Sequence, residues 1–129
     1  MPTQGEYDEA GERHGRWVTF YADGAKRSEG TFDHGVKHGK WVLYWPNGKK
    51  QSVATFDHGK YTGKYVCYHV NGNKKWEGRY NPIRGDSADG TKDGVWKCYQ
   101  SDGKTVWRII TYKRGSRTKP DEILAEKDH

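Results

Sequence analysis

The fold of this chain is decided by residues 39–59, which read GKWVLYWPNGKKQSVATFDHG. The stretch opens with a glycine and an aromatic-rich run, turns at Asn47-Gly48 and closes on Phe56. An Asn-Gly pair between two β-prone runs is the strongest local signal for a two-residue hairpin, because a type I′ turn needs positive φ at both central residues. The stretch therefore predicts a β-hairpin.

The same pattern recurs along the whole chain. The opening Gly-x-Trp/Tyr-x-x-Phe/Tyr motif begins at Gly15, Gly39, Gly63 and Gly94. The turn pairs are Asp23-Gly24, Asn47-Gly48, Asn71-Gly72 and Asp102-Gly103, and the closing aromatics are Phe32, Phe56, Tyr80 and Tyr112. We predict one repeat domain over residues 1–117. Its units lie near 14–37, 38–61, 62–92 and 93–117, after a partial unit at 5–13.

The predicted turns also set the pairing of the strands. They place the largest side chain of a hairpin opposite one of its smallest: Trp17 opposite Gly30, Trp41 opposite Ala54 and Tyr65 opposite Gly78. A ring that covers a glycine on the neighbouring strand protects its backbone. In the fourth unit Trp96 would face Ile109, and the return strand is one residue longer, so we expect a bulge there.

Strand alternation then sorts the side chains onto two faces. We expect face one to be the core, with Trp17, Tyr21, Phe32, Trp41, Leu43, Trp45, Phe56, Tyr65, Cys67, Trp76, Tyr80, Trp96 and Cys98. Face two carries Val18, Phe20, Val42, Tyr44, Val66, Tyr68 and Tyr99 among polar residues. The predicted fold is all-β, an elongated, twisted antiparallel sheet of about eight strands.

Two segments depart from the repeat. The connection 81–93 is long, polar and turn-rich, which indicates a tolerated loop; we take its Arg84-Gly85-Asp86 tripeptide as coincidence. Residues 118–129 follow the repeats, and Pro120, Asp121 and Glu122 suit the first turn of a short helix. Ile123 and Leu124 would dock that helix on the last hairpin, and a frayed tail is the alternative.

Composition limits both the core and the choice of partner. Aliphatic residues are scarce, but 6 Trp and 9 Tyr supply large apolar surfaces. The net charge of +6 favours acidic proteins, phospholipid headgroups or nucleic acid, although solubility explains it equally well. No apolar run is long enough to span a membrane, and residues 1–16 contain no signal segment. We therefore expect a cytoplasmic protein, with a removed leader left open.

Catalytic and metal chemistry find little support in the sequence. There is no phosphate-binding loop, nucleophile elbow or repeated carboxylate pair, so we expect no enzyme activity and no cofactor. His14 and His38 share one repeat position, and His34 and His58 share another, which makes a row of metal ligands conceivable. No acidic or cysteine ligand recurs beside them, so we expect structural histidines and no metal.

Cys67 and Cys98 occupy equivalent strands with one strand between them. That distance is too large for a disulfide, so we predict two buried free thiols.

The combined pattern G-x-W-x-x-Y/F, N/D-G-x-K, E-G-x-Y/F and D-H-G-x-x-H/T-G resembles the MORN repeat, and the 24-residue spacing resembles the bacterial MORN-variant class. The resemblance covers about Glu6 to Gly115. It implies elongated β-hairpin arrays without catalytic machinery. Bacterial members are often labelled antitoxin-like, and eukaryotic relatives are linked to scaffolding and acidic-lipid contact. The long third connection and the isoleucine-containing last strand depart from the pattern.

The candidate binding surface is face two, which presents one ring per hairpin. The expected pairs place Arg27 opposite Phe20, Gln51 opposite Tyr44 and Lys75 opposite Tyr68, and such pairs permit cation–π contact. The predicted partner-binding residues are Phe20, Arg27, Tyr44, Gln51, Tyr68, Lys75 and Tyr99. A row of lysines near the turns would attract an anionic surface: Lys26, Lys49, Lys50 and Lys74.

Three functions fit these features. The leading hypothesis is a protein-binding module, of the antitoxin or immunity type, for an acidic partner. The alternative is attachment to anionic lipid through the lysines. Single-stranded nucleic acid is the weakest candidate, because Glu29 and Glu77 share face two with the rings.

Overall fold

The computed structural model describes residues 4–81 and 91–128, which form one eleven-stranded antiparallel sheet. Its strands are β1 Gln4–Tyr7, β2 Arg13–Phe20, β3 Lys26–Asp33, β4 Val36–Tyr44, β5 Lys50–Asp57, β6 Lys60–Tyr68, β7 Lys74–Tyr80, β8 Lys92–Tyr99, β9 Val106–Lys113, β10 Ser116–Arg117 and β11 Glu122–Ile123. Strands β1 to β10 are neighbours in chain order, and β11 returns to β9. The predicted all-β, antiparallel hairpin array is confirmed, but the sheet has eleven strands rather than about eight. The Arg84-Gly85-Asp86 tripeptide lies outside the described residues.

The predicted pairing of large and small residues is confirmed in the first three hairpins. Trp17 pairs with Gly30, Trp41 with Ala54 and Tyr65 with Gly78. In the fourth hairpin Trp96 pairs with Ile110 rather than Ile109. The extra residue is taken up in the loop, because the Gln100 N–H donates to the Thr105 carbonyl at 2.8 Å. The register shift in this hairpin matches the shift in the others.

The ring that covers each glycine is not the one predicted. A Cβ atom on Gly30 would lie 2.1 Å from Cδ2 of Trp41, a residue of the following hairpin. The Trp41 Nε1–H also donates to the Thr31 carbonyl at 2.9 Å. Trp17 covers Gly5 and Trp96 covers Gly78 in the same way. Each tryptophan therefore leans back onto the preceding unit, and these contacts couple successive units.

The Asx-Gly pairs do not form the expected type I′ turns. At Asp23-Gly24 the Tyr21 N–H donates to the Ala25 carbonyl, so the loop has three residues, and only Gly24 of the turn pair has positive φ. This is the loop in which a type I turn is followed by a glycine in the left-handed conformation. Type I′ geometry instead occurs between hairpins, where both central residues have positive φ: His34-Gly35, His58-Gly59 and Arg114-Gly115.

Face one holds two aromatic clusters. The first contains Trp17, Phe32, Trp41, Ala54 and Phe56, and the second is centred on Trp96, Cys98 and Ile110. Tyr65 packs against both. Leu43, predicted to be in the core, is 39% exposed. Burial is not confined to face one either, since Val42, Val66 and Tyr99 of face two are buried.

The cysteines follow the predicted register. Both are free, and each pairs with Trp76, so one strand separates them. Cys98 is buried, whereas Cys67 is only partly buried. Burial raises the pKa of the Cys98 thiol to about 11.

The predicted C-terminal helix is wrong. Residues 116–117 and 122–123 are extended and pair with β9, and the Leu124 N–H donates to the Trp107 carbonyl at 2.8 Å. Ile123 and Leu124 are 62% and 56% exposed instead of docked. A two-turn helix is marginal, whereas pairing satisfies the free edge of the last long strand. No helix among the described residues is long and apolar enough to cross a membrane.

Candidate binding surface

The structure places one ring of face two at the same point in every hairpin, as predicted. Phe20, Tyr44, Tyr68 and Tyr99 each end the first strand of their unit. Tyr99 is buried and the other three are partly buried. The ladder of rings therefore exists, but it is not a uniformly exposed strip.

The predicted partners across the strands are wrong. Phe20 pairs with Lys26, Tyr44 with Lys50 and Tyr68 with Lys74. The ladder shifts by one residue beside each three-residue loop, which leaves Arg27, Gln51 and Lys75 without a place in the pairing. The cation–π contact found at this position joins Lys74 to Tyr99 of the next hairpin, with Nζ 5.8 Å from the ring centroid.

Two of the tyrosines are bound to glutamates of the preceding hairpin. The hydroxyl of Tyr44 donates to Glu29 Oε1, and the hydroxyl of Tyr99 donates to Glu77 Oε1. These bonds lower the pKa of both glutamates, with a further contribution from Lys26 and Lys74 respectively. Burial, reinforced by the same bonds, raises the pKa of each tyrosine to about 12.

The middle of face two carries apolar side chains where the regions on either side have glutamate–tyrosine bonds. Val53 takes the place of Glu29 and Glu77 in the second hairpin, and it pairs with Val42 on one side and Val66 on the other. Val42 and Val66 are 6% and 7% exposed. The glutamate–tyrosine bonds thus lie on either side of a valine strip.

Two clefts open at corresponding places on face two, one where the first hairpin meets the second and one where the third meets the fourth. The first is lined by Arg16, Glu29, Gly30, Thr31, Lys40 and Val42, with a volume of about 300 Å³. The second is lined by Lys64, Glu77, Gly78, Arg79, Gly94, Val95 and Lys97, with a volume of about 520 Å³. Each has at its floor a glycine whose other side is covered by a tryptophan. We call them the first and second clefts.

Cations outnumber the single glutamate in both clefts. In the first, Arg16 Nη2 lies 2.5 Å from Glu29 Oε2, and Lys40 adds a second positive charge. In the second, Lys64 and Lys97 flank Glu77. Arg79 also lines this cleft, but its Nη2 pairs with Asp93 Oδ2 at 3.0 Å. The arrangement offers positive charge to an anionic group.

The lysines near the turns are less available than predicted. Lys26 and Lys74 pair with Glu29 and Glu77 at 3.3 and 3.1 Å. Lys49 Nζ donates to the Asn71 carbonyl at 2.8 Å. Lys50, opposite Tyr44, is exposed. Much of this charge is therefore already paired within the protein.

Two of the histidines, His14 and His34, lie beside the carboxylate of Asp8, whereas the sequence predicted no acidic ligand near them. Asp8, His14 and His34 each place one potential ligand atom within 4.8 Å of the others. An aspartate follows the closing aromatic of successive units, at Asp8, Asp33 and Asp57. That recurrence is the signal that would have revealed the grouping.

The basic residues that line the clefts were also not identified from the sequence. The cleft cations Arg16, Lys40 and Lys64 each follow the glycine that opens a unit. They could have been noticed as a repeated basic position, but their place beside Glu29 and Glu77 depends on how one hairpin meets the next.

Comparison with known proteins supports the repeat assignment. The family model described as MORN repeat variant matches residues 13–34 and 37–58. No curated protein matches the chain. The two matched segments correspond closely to β2 with β3 and to β4 with β5. The first two hairpin units of this chain are therefore similar to the MORN repeat variant.

Proposed function

We propose that this protein is a non-catalytic repeat module that binds a protein partner through face two, with acidic side chains of the partner in the two clefts. The observation that carries the proposal is the recurrence, two units apart on one face, of a basic cleft lined by a glutamate and a glycine at matching repeat positions. A site that recurs two units apart suits a partner that lies along the array, because one extended partner can then contact both clefts.

Charge favours an acidic partner. Glu29 and Glu77 are already held by tyrosine hydroxyls and cations. Within residues 4–81 and 91–128, Lys40, Lys64 and Lys97 form no ion pair, so these three lysines supply the positive charge that the clefts offer to a partner. Complementary charge accelerates encounter and orients the partner more than it adds affinity.

The valine strip between the clefts supports a protein rather than a free anion. Val53 at the centre of this strip and Tyr68 are partly exposed, whereas Val42 and Val66, which flank Val53, are buried. Interfaces commonly combine an apolar centre with a charged periphery. Neutralisation of an acidic toxin, as by an antitoxin or immunity protein, is the finer form of this proposal and rests on the same surface.

The test measures binding of a fluorescein-labelled peptide rich in Asp, Glu and Leu by anisotropy. Wild type should bind, and Lys64→Glu with Lys97→Glu should weaken binding by at least about tenfold, since like charges across an interface are strongly unfavourable. The matched control, Lys104→Glu with Lys113→Glu, makes the same charge change at exposed positions away from the clefts.

Equal loss in the cleft and control variants would refute a specific site. Sedimentation with vesicles of neutral or anionic lipid separates the membrane alternative. Binding to anionic vesicles that survives the cleft variant, together with no peptide binding, would replace the proposal with lipid attachment.

A further inference from the structure

We propose that Asp8, His14 and His34 form a binding site for a divalent transition-metal ion such as Zn²⁺. It is the one such group found among the described residues, and it lies at the β1 end of the array. This inference is independent of the clefts on face two. It concerns three side chains that come from separate parts of the sequence: the β1–β2 turn, β2 and the β3–β4 turn.

The carboxylate of Asp8 is fixed in position by its own turn. Its Oδ1 accepts from the N–H groups of Ala10 and Glu12, each at 2.9 Å. The Asp8 side chain is only 9% exposed, and its Oδ2 faces His34 Nδ1 at 2.6 Å. A ligand whose other oxygen is already anchored loses little freedom when it binds a metal.

The two histidines are also held in place. His34 occupies the first position of a type I′ turn with φ 46°, and its backbone N–H donates to His14 Nδ1 at 3.2 Å. Their rings stack with centroids 4.4 Å apart. Side-chain exposures of 46% for His14 and 66% for His34 leave an open path for an ion.

The spacing of the ligand atoms is close to what coordination needs. Tetrahedral Zn²⁺, with bonds of about 2.0–2.1 Å, places neighbouring ligand atoms about 3.3 Å apart. The three groups offer atoms within 4.8 Å of one another. Small side-chain rotations would therefore suffice, and water would complete the coordination.

The donor set selects the class of metal. Two imidazole nitrogens and one carboxylate suit zinc, nickel, cobalt or copper. Calcium and magnesium prefer sites made of oxygen ligands. A bound ion would join the partial first unit to the first complete hairpin, and we expect it to stabilise that end of the sheet.

The next unit provides a matched comparison within the same chain. Asp33, His38 and His58 occupy the same repeat positions and line a cleft of about 170 Å³. His58 instead points to its sequence neighbour, with Nδ1 2.6 Å from Asp57 Oδ1. The second set is therefore not gathered as the first is, although its residue types are identical.

Calorimetric titration of the untagged chain with ZnCl₂ tests the proposal. Wild type should bind one ion, and Asp8→Asn, His14→Ala and His34→Ala should each weaken binding by at least about tenfold, because loss of even an outer-shell partner of a metal ligand costs about 10–100-fold. The Asn side chain keeps the acceptor that anchors the turn. The double variant His38→Ala with His58→Ala should retain wild-type affinity.

A second readout excludes simple loss of folding. At the same Zn²⁺ concentration the unfolding temperature of wild type and of the double variant should rise by more than that of Asp8→Asn, because a ligand specific for the native state stabilises it more, the further its concentration exceeds the Kd. Zinc affinity that is unchanged in His34→Ala would overturn the proposal. An equal loss in the double variant, or equal binding of Mg²⁺, would do the same.

Discussion

The indole of Trp41 lies across the backbone of Gly30, and its Nε1–H donates to the carbonyl of Thr31, the next residue. Trp17 has the same relation to Gly5 and Glu6, and Trp96 has it to Gly78 and Arg79. The ring of one hairpin thus covers and hydrogen-bonds the backbone of the hairpin before it. On the other face, Gly30 and Gly78 are the floors of the two clefts.

Gly30→Ala and Gly78→Ala should each destabilise the protein. A Cβ atom at either site would lie 2.1 Å from the covering indole, so that ring would have to move. We expect a loss of about 1–3 kcal/mol in the free energy of unfolding, as for other overpacked cores. Urea denaturation followed by tryptophan fluorescence measures it. Thr31→Ala, at an exposed neighbouring position, should change little, and wild-type stability in both glycine variants would contradict the contact.

Tyr44→Phe should lower the free energy of unfolding by about 1.5–3 kcal/mol, the range for hydrogen bonds to charged groups. The lost hydroxyl is a donor to Glu29. Tyr68→Phe is the matched control, because Val53 stands where Tyr44 has its glutamate. Equal effects of the two substitutions, measured by urea denaturation, would show that the bond contributes nothing of its own.

Acid should destabilise the protein partly through Glu29 and Glu77. Their folded pKa values lie below the ordinary 4.5, because tyrosine hydroxyls and lysines stabilise the carboxylates. Their contribution is complete above the unfolded pKa and is lost as the pH falls through the lowered folded values. The urea midpoint of Glu29→Gln with Glu77→Gln should therefore fall less than that of wild type between pH 6 and pH 3. Glu9→Gln with Glu122→Gln is the exposed control, and parallel profiles for all three proteins would contradict the prediction.

Asp121→Asn should destabilise the C-terminal pairing. Asp121 Oδ2 accepts from Arg108 Nε at 2.9 Å, and its side chain is 12% exposed. We expect a loss of about 1–3 kcal/mol, as for a hydrogen bond to a partly buried charged group. Glu122→Gln removes the exposed pair with Lys119 and should change stability by no more than about 0.5 kcal/mol. Thermal unfolding of both variants gives the comparison. Equal stability of the Asp121→Asn and Glu122→Gln variants would contradict the prediction.

The register of the sheet was predictable from sequence because it depends on local repetition. Trp17, Trp41 and Tyr65 recur at fixed distances from turn glycines, and any hairpin through those turns places them near the small residues on the return strand. The turn type was not predictable in this way. A loop of two residues and a loop of three residues with a bulge give the same pairing at Trp17, so the pattern cannot separate them.

The contacts between units could not be predicted from the repeat pattern of the sequence. Strand alternation assigns Trp41 to a face, but it does not state whether the ring leans toward Ala54 in its own hairpin or Gly30 in the preceding one. The same limit applies to the binding surface. The positions of Tyr44 and Tyr99 were predicted, whereas their bonds to glutamates one hairpin earlier depend on how the units meet.

The C-terminal segment shows a local signal overridden by a tertiary one. Pro120, Asp121 and Glu122 suit a helix start, but the segment lies beside β9, whose edge would otherwise lack a partner. Pairing there satisfies backbone groups that a short helix would leave free.

At one contact between units, the chain carries a different pair of residues from the pair found at the other contacts, and this pair tests how the units are coupled. At three of the four places where hairpins meet, a tryptophan covers a glycine, but at the remaining one Ala54 stands where the others have glycine and Tyr65 where they have tryptophan. The methyl group of Ala54 occupies the space that an indole in the same pose would need. We therefore expect that Ala54 and Tyr65 can be replaced by glycine and tryptophan only when both are changed together.

The decisive measurement is the free energy of unfolding of Tyr65→Trp, Ala54→Gly and the double variant, by urea denaturation. We predict that each single change destabilises the protein and that the double variant recovers stability, with a coupling free energy of about 1 kcal/mol or more, as for residues in direct contact. Additive effects, or a Tyr65→Trp variant as stable as wild type beside an intact Ala54, would contradict the claim that each ring packs on the preceding unit.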